Sequence, residues 1–136
     1  MKKFTGEETD NKVTQLRKGI LELAVLSALY RERHYGYSLV RGLAAPGSIE
    51  IKEGTVYPIL ARLAREGLVR SEWIESSQGP PRKYYELTAA GRLACESLQD
   101  EFRRLVLLVK SASGVISGQD TPPSIKKIAI RRKKDE

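Results

Sequence analysis

Soft metal ligands and reactive groups are scarce in this chain of 136 residues, which has one cysteine and one histidine. Cys95 alone excludes an intramolecular disulfide, and together with His34 it leaves too few ligands for a structural zinc site. Long apolar runs are also missing. The longest, Ile20 to Tyr30, is interrupted by Glu22 and Ser27 and falls short of the roughly 18 residues that a membrane helix needs. No membrane partner is therefore expected. After Lys2 and Lys3 the chain turns polar, with Glu7, Glu8 and Asp10 where a signal peptide would carry its apolar stretch, so the expected location is the cytoplasm. Motifs for catalysis are lacking too: there is no nucleophile and base pairing by motif and no glycine loop to cradle phosphate. The expectation is a protein that is not an enzyme, with no catalytic or metal-binding residues and no cofactor.

What the chain does have is positive charge: 24 Lys plus Arg against 17 Asp plus Glu, a formal charge of +7 and a pI near 9.6. The length suits one domain, and 40% hydrophobic content is enough for a small core. The excess charge is uneven, with +3 on residues 119–136 and only +1 on residues 35–90. Residues 118–136 read as a basic, disordered tail, because Pro122 and Pro123 interrupt a polar, lysine- and arginine-rich segment with little to bury. Total charge is thus a weak argument for a nucleic-acid partner, and the case must come from organisation.

Residues 1–14 read as a flexible arm. From Gln15 to Arg33, Leu16, Ile20, Leu23, Leu26 and Leu29 recur at spacings of three and four, which predicts a first helix. A short second helix spans Tyr35 to Ala44 and stops at Ala45-Pro46-Gly47. Val56, Ile59, Leu60 and Leu63 form one apolar stripe of a third helix closed by Gly67. Pro58 would clash inside that helix, so its start is expected at about Gly54 or Thr55, with Thr55 as N-cap. Leu68–Glu75 and Lys83–Leu87 are β-prone and joined by a turn-rich loop, predicting a two-stranded ribbon. Thr88 caps a fourth helix over 89–117. Its stripe of Cys95, Leu98, Phe102, Leu105, Val109, Ala112 and Ile116 has heptad spacing, longer than so small a domain needs for its own core, and predicts a homodimer seam.

Three helices followed at once by a ribbon with a basic tip give a mainly α fold with a small β-ribbon. This is the order of a winged helix-turn-helix domain, here over residues 15–88, with a long C-terminal helix after it. In that arrangement the third helix enters the major groove and the wing meets the flanking backbone. Opposite the apolar stripe, the outer arc of the third helix holds Gly54, Thr55, Pro58, Ala61, Arg62 and Arg65, with Tyr57 at its flank and no carboxylate. Thr55, Tyr57 and Arg62 can donate to phosphates or base edges, and Arg82 and Lys83 follow the Pro80-Pro81 turn where they can reach a phosphate. Tyr37 and Ser38, early in the helix that crosses the backbone, complete the candidate contacts with double-stranded DNA. Trp73 reads as a core anchor of the ribbon, His34 as structural, and Cys95 as a small buried thiol on the seam.

The run Gly54-Thr55-Val56-Tyr57-Pro58-Ile59-Leu60, then Leu63, Gly67-Leu68-Val69 and Trp73, then Gly79-Pro80-Pro81-Arg82-Lys83-Tyr84-Tyr85 and Leu87-Thr88 with Gly91, resembles the PadR family of transcriptional regulators. The similarity runs from about Leu16 to Gly91. It implies a recognition role for Thr55, Tyr57 and Arg62, a wing role for Arg82 and Lys83, and subunit pairing through the C-terminal helix. With one helix after the wing, the chain is similar to the short subtype. The function expected is a homodimeric, DNA-bound repressor or activator of a near-palindromic operator, with repression the favoured reading and a small-molecule effector at the dimer interface as its means of control. Some members bind flat aromatic effectors there, and Phe102 is the only aromatic residue on the long helix. The competing expectation is a winged-helix module that binds proteins and no specific DNA. Acidic residues on the outer arc or an uncharged wing tip would mark it, and this sequence has neither.

Overall fold

The computed structural model of the protein describes residues 5–114, so residues 118–136 and Ile116 lie outside the described part. The element order is α1 (Gly6–Arg31), β1 (His34–Tyr35), α2 (Gly36–Leu43), α3 (Glu53–Arg65), β2 (Val69–Ile74), β3 (Arg82–Leu87) and α4 (Ala89–Ser113). It is a mainly helical winged-helix fold with a small antiparallel sheet. Two compact units divide it, one ending at Ser97 and the other beginning at Leu98.

The core of the first unit is aliphatic. Val25, Leu26 and Leu29 of α1, Leu39 of α2 and all four stripe residues of α3 are buried together with Val69, Leu87 and Cys95. Each helix turns one face inward, as the spacing of its apolar residues requires. Burying a leucine side chain contributes about 2 kcal/mol, so the α3 stripe alone fixes which side of that helix can face outward.

Three features differ from the sequence expectation. First, α1 starts at Gly6, so the segment expected as a flexible arm is helical from there on. That stretch has no apolar stripe to betray it. It is held by a capping box in which Thr5 Oγ1 accepts from the Glu8 amide at 3.1 Å while the Glu8 side chain accepts from the Thr5 amide. Second, the ribbon has a third strand, in the order β1-β3-β2, with His34 opposite Tyr85 and Tyr35 opposite Tyr84. Two residues are too few to show a period.

Third, α3 begins at Glu53 with Lys52 as N-cap, which places Thr55 within the first turn and Pro58 inside the helix. The amides of Thr55 and Val56 both donate to the Lys52 carbonyl, at 2.9 and 3.1 Å. Proline forfeits only the bond to the carbonyl four residues back, that of Gly54, which is exposed and has no side chain to crowd the ring.

The wing is fastened to the body at one corner. Gly67 adopts φ of 77°, ending α3, and its carbonyl accepts from Thr88 Oγ1 at 2.7 Å. The same hydroxyl accepts from the Gly91 amide at 3.0 Å, which caps α4 as the sequence predicts. Gly91 is required there, because a Cβ would lie 2.0 Å from the Leu68 carbonyl oxygen.

Candidate nucleic-acid interface

The outer arc of α3 is set by its buried stripe. Gly54, Thr55, Pro58, Ala61 and Arg65 are all exposed, and Tyr57 is 44% exposed at the flank. Small residues at Gly54 and Ala61 leave the helix backbone open to close approach, and Thr55 is exposed within the first turn of the helix.

Arg62 differs from its neighbours on this arc. Its Nε and one terminal nitrogen both donate to Glu22 Oε2 of α1, each at 2.6 Å, and the side chain is only partly exposed. The sequence wheel finds no carboxylate on the outer arc of α3, but the tertiary fold brings one from a residue forty positions away. Arg62 therefore stands at the edge of the arc with its charge already matched.

Across from α3, the wing contributes a second set of groups. Along β2 and β3 the register pairs Val69 with Leu87, Ser71 with Tyr85 and Trp73 with Lys83, so these residues share one face of the ribbon. Val69 and Leu87 bury that face at its base. Trp73, four residues or about 13 Å further out, has passed the edge of the core and is 67% exposed. This corrects the expectation of a core anchor. Its strand position does not say how far the core extends along the ribbon.

Between wing and α3 lies an open cleft of about 320 Å³ lined by Tyr35, Gly36, Tyr57, Trp73, Arg82, Lys83 and Tyr85. Among the described residues no carboxylate lines it. The Arg82 guanidinium sits 4.4 Å from the centre of the Tyr35 ring, and Lys83 Nζ lies 5.7 Å from Trp73 and 5.9 Å from Tyr85. These distances are cation–π contacts that hold both cations over the cleft. Burial, then the proximity of Tyr57, pushes the Tyr85 hydroxyl up from its ordinary value, so it remains a neutral donor. Tyr57 reaches the cleft because Gly36 lets it: a Cβ on Gly36 would lie 1.9 Å from the Tyr57 hydroxyl. Tyr35 and Gly36, like Trp73, are members of this surface that sequence reasoning did not select.

At the start of α2 the two candidates part. Tyr37 is exposed and accepts from Arg41 at 3.3 Å, so together they offer a hydroxyl and a cation to solvent. Ser38 is half-buried and occupied locally. Its Oγ accepts from the Tyr35 amide at 3.1 Å, donates to the Tyr35 carbonyl at 3.0 Å and lies 3.0 Å from His34 Nδ1. Ser38 thus closes the β1–α2 corner instead of facing outward, and His34 has the structural place expected of it.

The heptad stripe of α4 changes its task partway. Cys95 is fully buried in the core of its own chain, 3.9 Å from Ser27 Oγ, which removes it from the expected seam. Burial pushes its thiol up, against a smaller opposing effect of the Ser27 contact. In the second unit, Leu98, Phe102, Leu105, Val109 and Ala112 remain exposed along one side of the helix. Val13, Leu16 and Ile20 of α1 are exposed as well, Leu16 at 73%. The sequence stripe is continuous, but the end of the core divides it. Among the described residues no helix is long and apolar enough to cross a membrane.

Comparison with known proteins agrees with this architecture. The family model for PadR-like transcriptional regulators matches residues 25–97, from the core of α1 through the first turns of α4. The structure of a PadR-like transcription factor from Bacteroides fragilis is 38% identical, with 74% of this chain and 96% of that one covered and a TM-score of 0.62. A PadR family transcriptional regulator from Eggerthella lenta is also 38% identical, with coverage of 78% and 92% and a TM-score of 0.65. A PadR-like transcriptional regulator from Bacillus cereus is 34% identical over 72% of this chain and 95% of its own, at a TM-score of 0.64. A protein of unknown role from Lysinibacillus sphaericus is 28% identical over 87 residues. With the wing, the capped corner and the third helix matched in a single stretch, the chain belongs to the PadR-like family of transcriptional regulators, DNA-binding proteins and not enzymes.

Proposed function

We propose that the protein is a homodimeric repressor that reads a near-palindromic operator. The α3 helices enter successive major-groove faces about one turn, roughly 34 Å, apart. Thr55, Tyr57, Pro58 and Arg65 form the reading arc, and Arg62 joins it when a DNA phosphate competes with Glu22. Arg82 and Lys83 hold the flanking backbone, with Tyr37 and Arg41 on the adjacent strand. The observation that carries this reading is the sidedness of the surface: a carboxylate-free arc of α3 is flanked at Tyr57 by a cleft that, among the described residues, only cations, aromatic rings and glycine line. A merely solvated surface would mix both signs of charge.

Dimerisation is supported by the exposed stripe Leu98, Phe102, Leu105 and Val109 on α4 and by Val13, Leu16 and Ile20 on α1. Covering side chains of this size in a second copy contributes about 1.5–3 kcal/mol each when burial is complete. An effector bound at the dimer interface, where Phe102 is the aromatic group available, would release DNA by changing the separation of the two α3 helices. That requires it to bind one dimer geometry better than the other. The test is a mobility shift with genomic fragments at two salt concentrations. Specific shifts that weaken steeply with salt are expected; no binding at low salt, or binding indifferent to salt, would sink the proposal in favour of a protein-interaction module.

A further inference from the structure

The exposed indole of Trp73 is not accounted for by packing. Its side chain extends the core-facing side of the ribbon beyond the last buried pair, Val69 and Leu87, and ends over a cleft open to solvent. An indole left two-thirds exposed forgoes most of the stabilisation that burial would give it. Lys83, its direct cross-strand partner, keeps a cation beside the ring, and Arg82 is held over Tyr35 on the neighbouring wall.

The lining has two kinds of chemistry at adjacent positions. Arg82, Lys83 and the hydroxyls of Tyr57 and Tyr85 supply donors and positive charge, which suit the acceptor oxygens of a phosphate. Trp73 supplies a flat apolar surface next to them, which suits the face of a sugar. A deoxyribose attached to its phosphate presents this pair of surfaces at every nucleotide. We infer that the cleft seats one sugar-phosphate unit of duplex DNA, with Trp73 as the platform for the deoxyribose and Lys83 and Arg82 on its phosphate. This inference rests on the DNA-binding proposal and adds to it a residue and a contact type. The clamp couples the wing to α3 on one strand, because Tyr57 of the reading helix lines the same cleft.

The test uses the full chain and a fluorescein-labelled duplex of mixed sequence, roughly 30 base pairs, long enough for both half-sites. Trp73 is the only tryptophan, so its emission reports on the cleft directly. Emission is expected to change over the same DNA concentrations that raise the label's anisotropy. Trp73→Ala should weaken binding about fivefold or more, by analogy with aromatic platforms for nucleotides, without altering the salt slope. Trp73→Phe should recover part of that loss. Lys83→Met should both weaken binding and flatten the logarithmic salt slope by about 0.9, one phosphate contact. Far-UV circular dichroism and thermal unfolding of Trp73→Ala should match the parent, since the ring is outside the core. Wild-type binding with unchanged emission and a fully active Trp73→Ala variant would overturn the inference while leaving the DNA-binding proposal intact. Tighter binding and a larger emission change with the single strand than with the duplex would also overturn it, by assigning the ring to an unstacked base. Failure of the wild-type chain to bind any duplex would bring down both.

Discussion

Arg62 of α3 is held by Glu22 of α1 through two donors on one carboxylate oxygen, each at 2.6 Å. The pair joins the proposed recognition helix to the helix behind it, and its charges are only partly sheltered from water. Ion pairs so placed contribute little to stability, on the order of 0–1 kcal/mol. Glu22→Gln should therefore leave the unfolding midpoint nearly unchanged. It should raise affinity for duplex DNA several-fold, because it releases the guanidinium and removes a negative charge beside the reading arc. Anisotropy titrations in two salts measure this, and an unchanged affinity would confine Arg62 to a tie between the helices.

Gly36 and Gly91 both stand where a Cβ has no room, but what they would meet is different. At Gly91 the obstacle is the Leu68 backbone carbonyl, 2.0 Å away, which cannot move without opening the corner between α3 and the wing. Gly91→Ala should cost about 3 kcal/mol or more, or prevent folding, as severe overpacking does. At Gly36 the obstacle is the far end of Tyr57, 1.9 Å away, which can swing aside. Gly36→Ala should fold and, like Tyr57→Ala, should lose DNA affinity. Urea unfolding and DNA titration separate the two effects; a Gly36→Ala protein with parental affinity would show that Tyr57 does not need its present position.

Leu105 stands in the middle of the exposed α4 stripe. On the proposed dimer, Leu105→Glu should give a monomer in sedimentation at micromolar concentration and weaken binding to the proposed operator, because half-sites would then be occupied one at a time. An unchanged sedimentation coefficient would overturn the α4 stripe as the proposed dimer contact.

The Cys95 thiol is raised above its ordinary value by burial. Its protonated form is thus favoured by the fold, and the unfolded chain loses that proton first as pH rises. Its contribution to stability is fully present below about pH 8.5 and declines above it, towards the raised folded value. Thiol-reactive dyes at pH 8 should react slowly with the native chain and quickly in urea, and unfolding midpoints should fall above about pH 9. Rapid labelling of the native protein would contradict this burial.

The helices were legible because their apolar residues serve the core of the same chain: all four residues of the α3 stripe are buried. The N-terminal turns of α1 were not, because a capping box and an acidic first turn hold them with no apolar face. In the site, Thr55, Tyr57, Arg65, Arg82 and Lys83 could be selected from a helical wheel and a turn, which are local. Glu22 facing Arg62, Ser38 turned back onto Tyr35, and Tyr57 lying over Gly36 are products of packing between elements. Periodicity carries no information about them. The core-anchor reading of Trp73 and the seam place of Cys95 differ from the structure for one reason, that local sequence does not show where along an element the core ends; the reading of Cys95 as a buried thiol agrees with its full burial.

The corner at Gly67, Thr88 and Gly91 also divides the chain into what can vary and what cannot. Both feet of the wing are pinned there, while the loop between Glu75 and Pro81 is mostly exposed and outside the core cluster. Wing length is therefore a free variable of this scaffold: residues can be added or removed at the tip without touching the corner that ties the wing to α3 and α4.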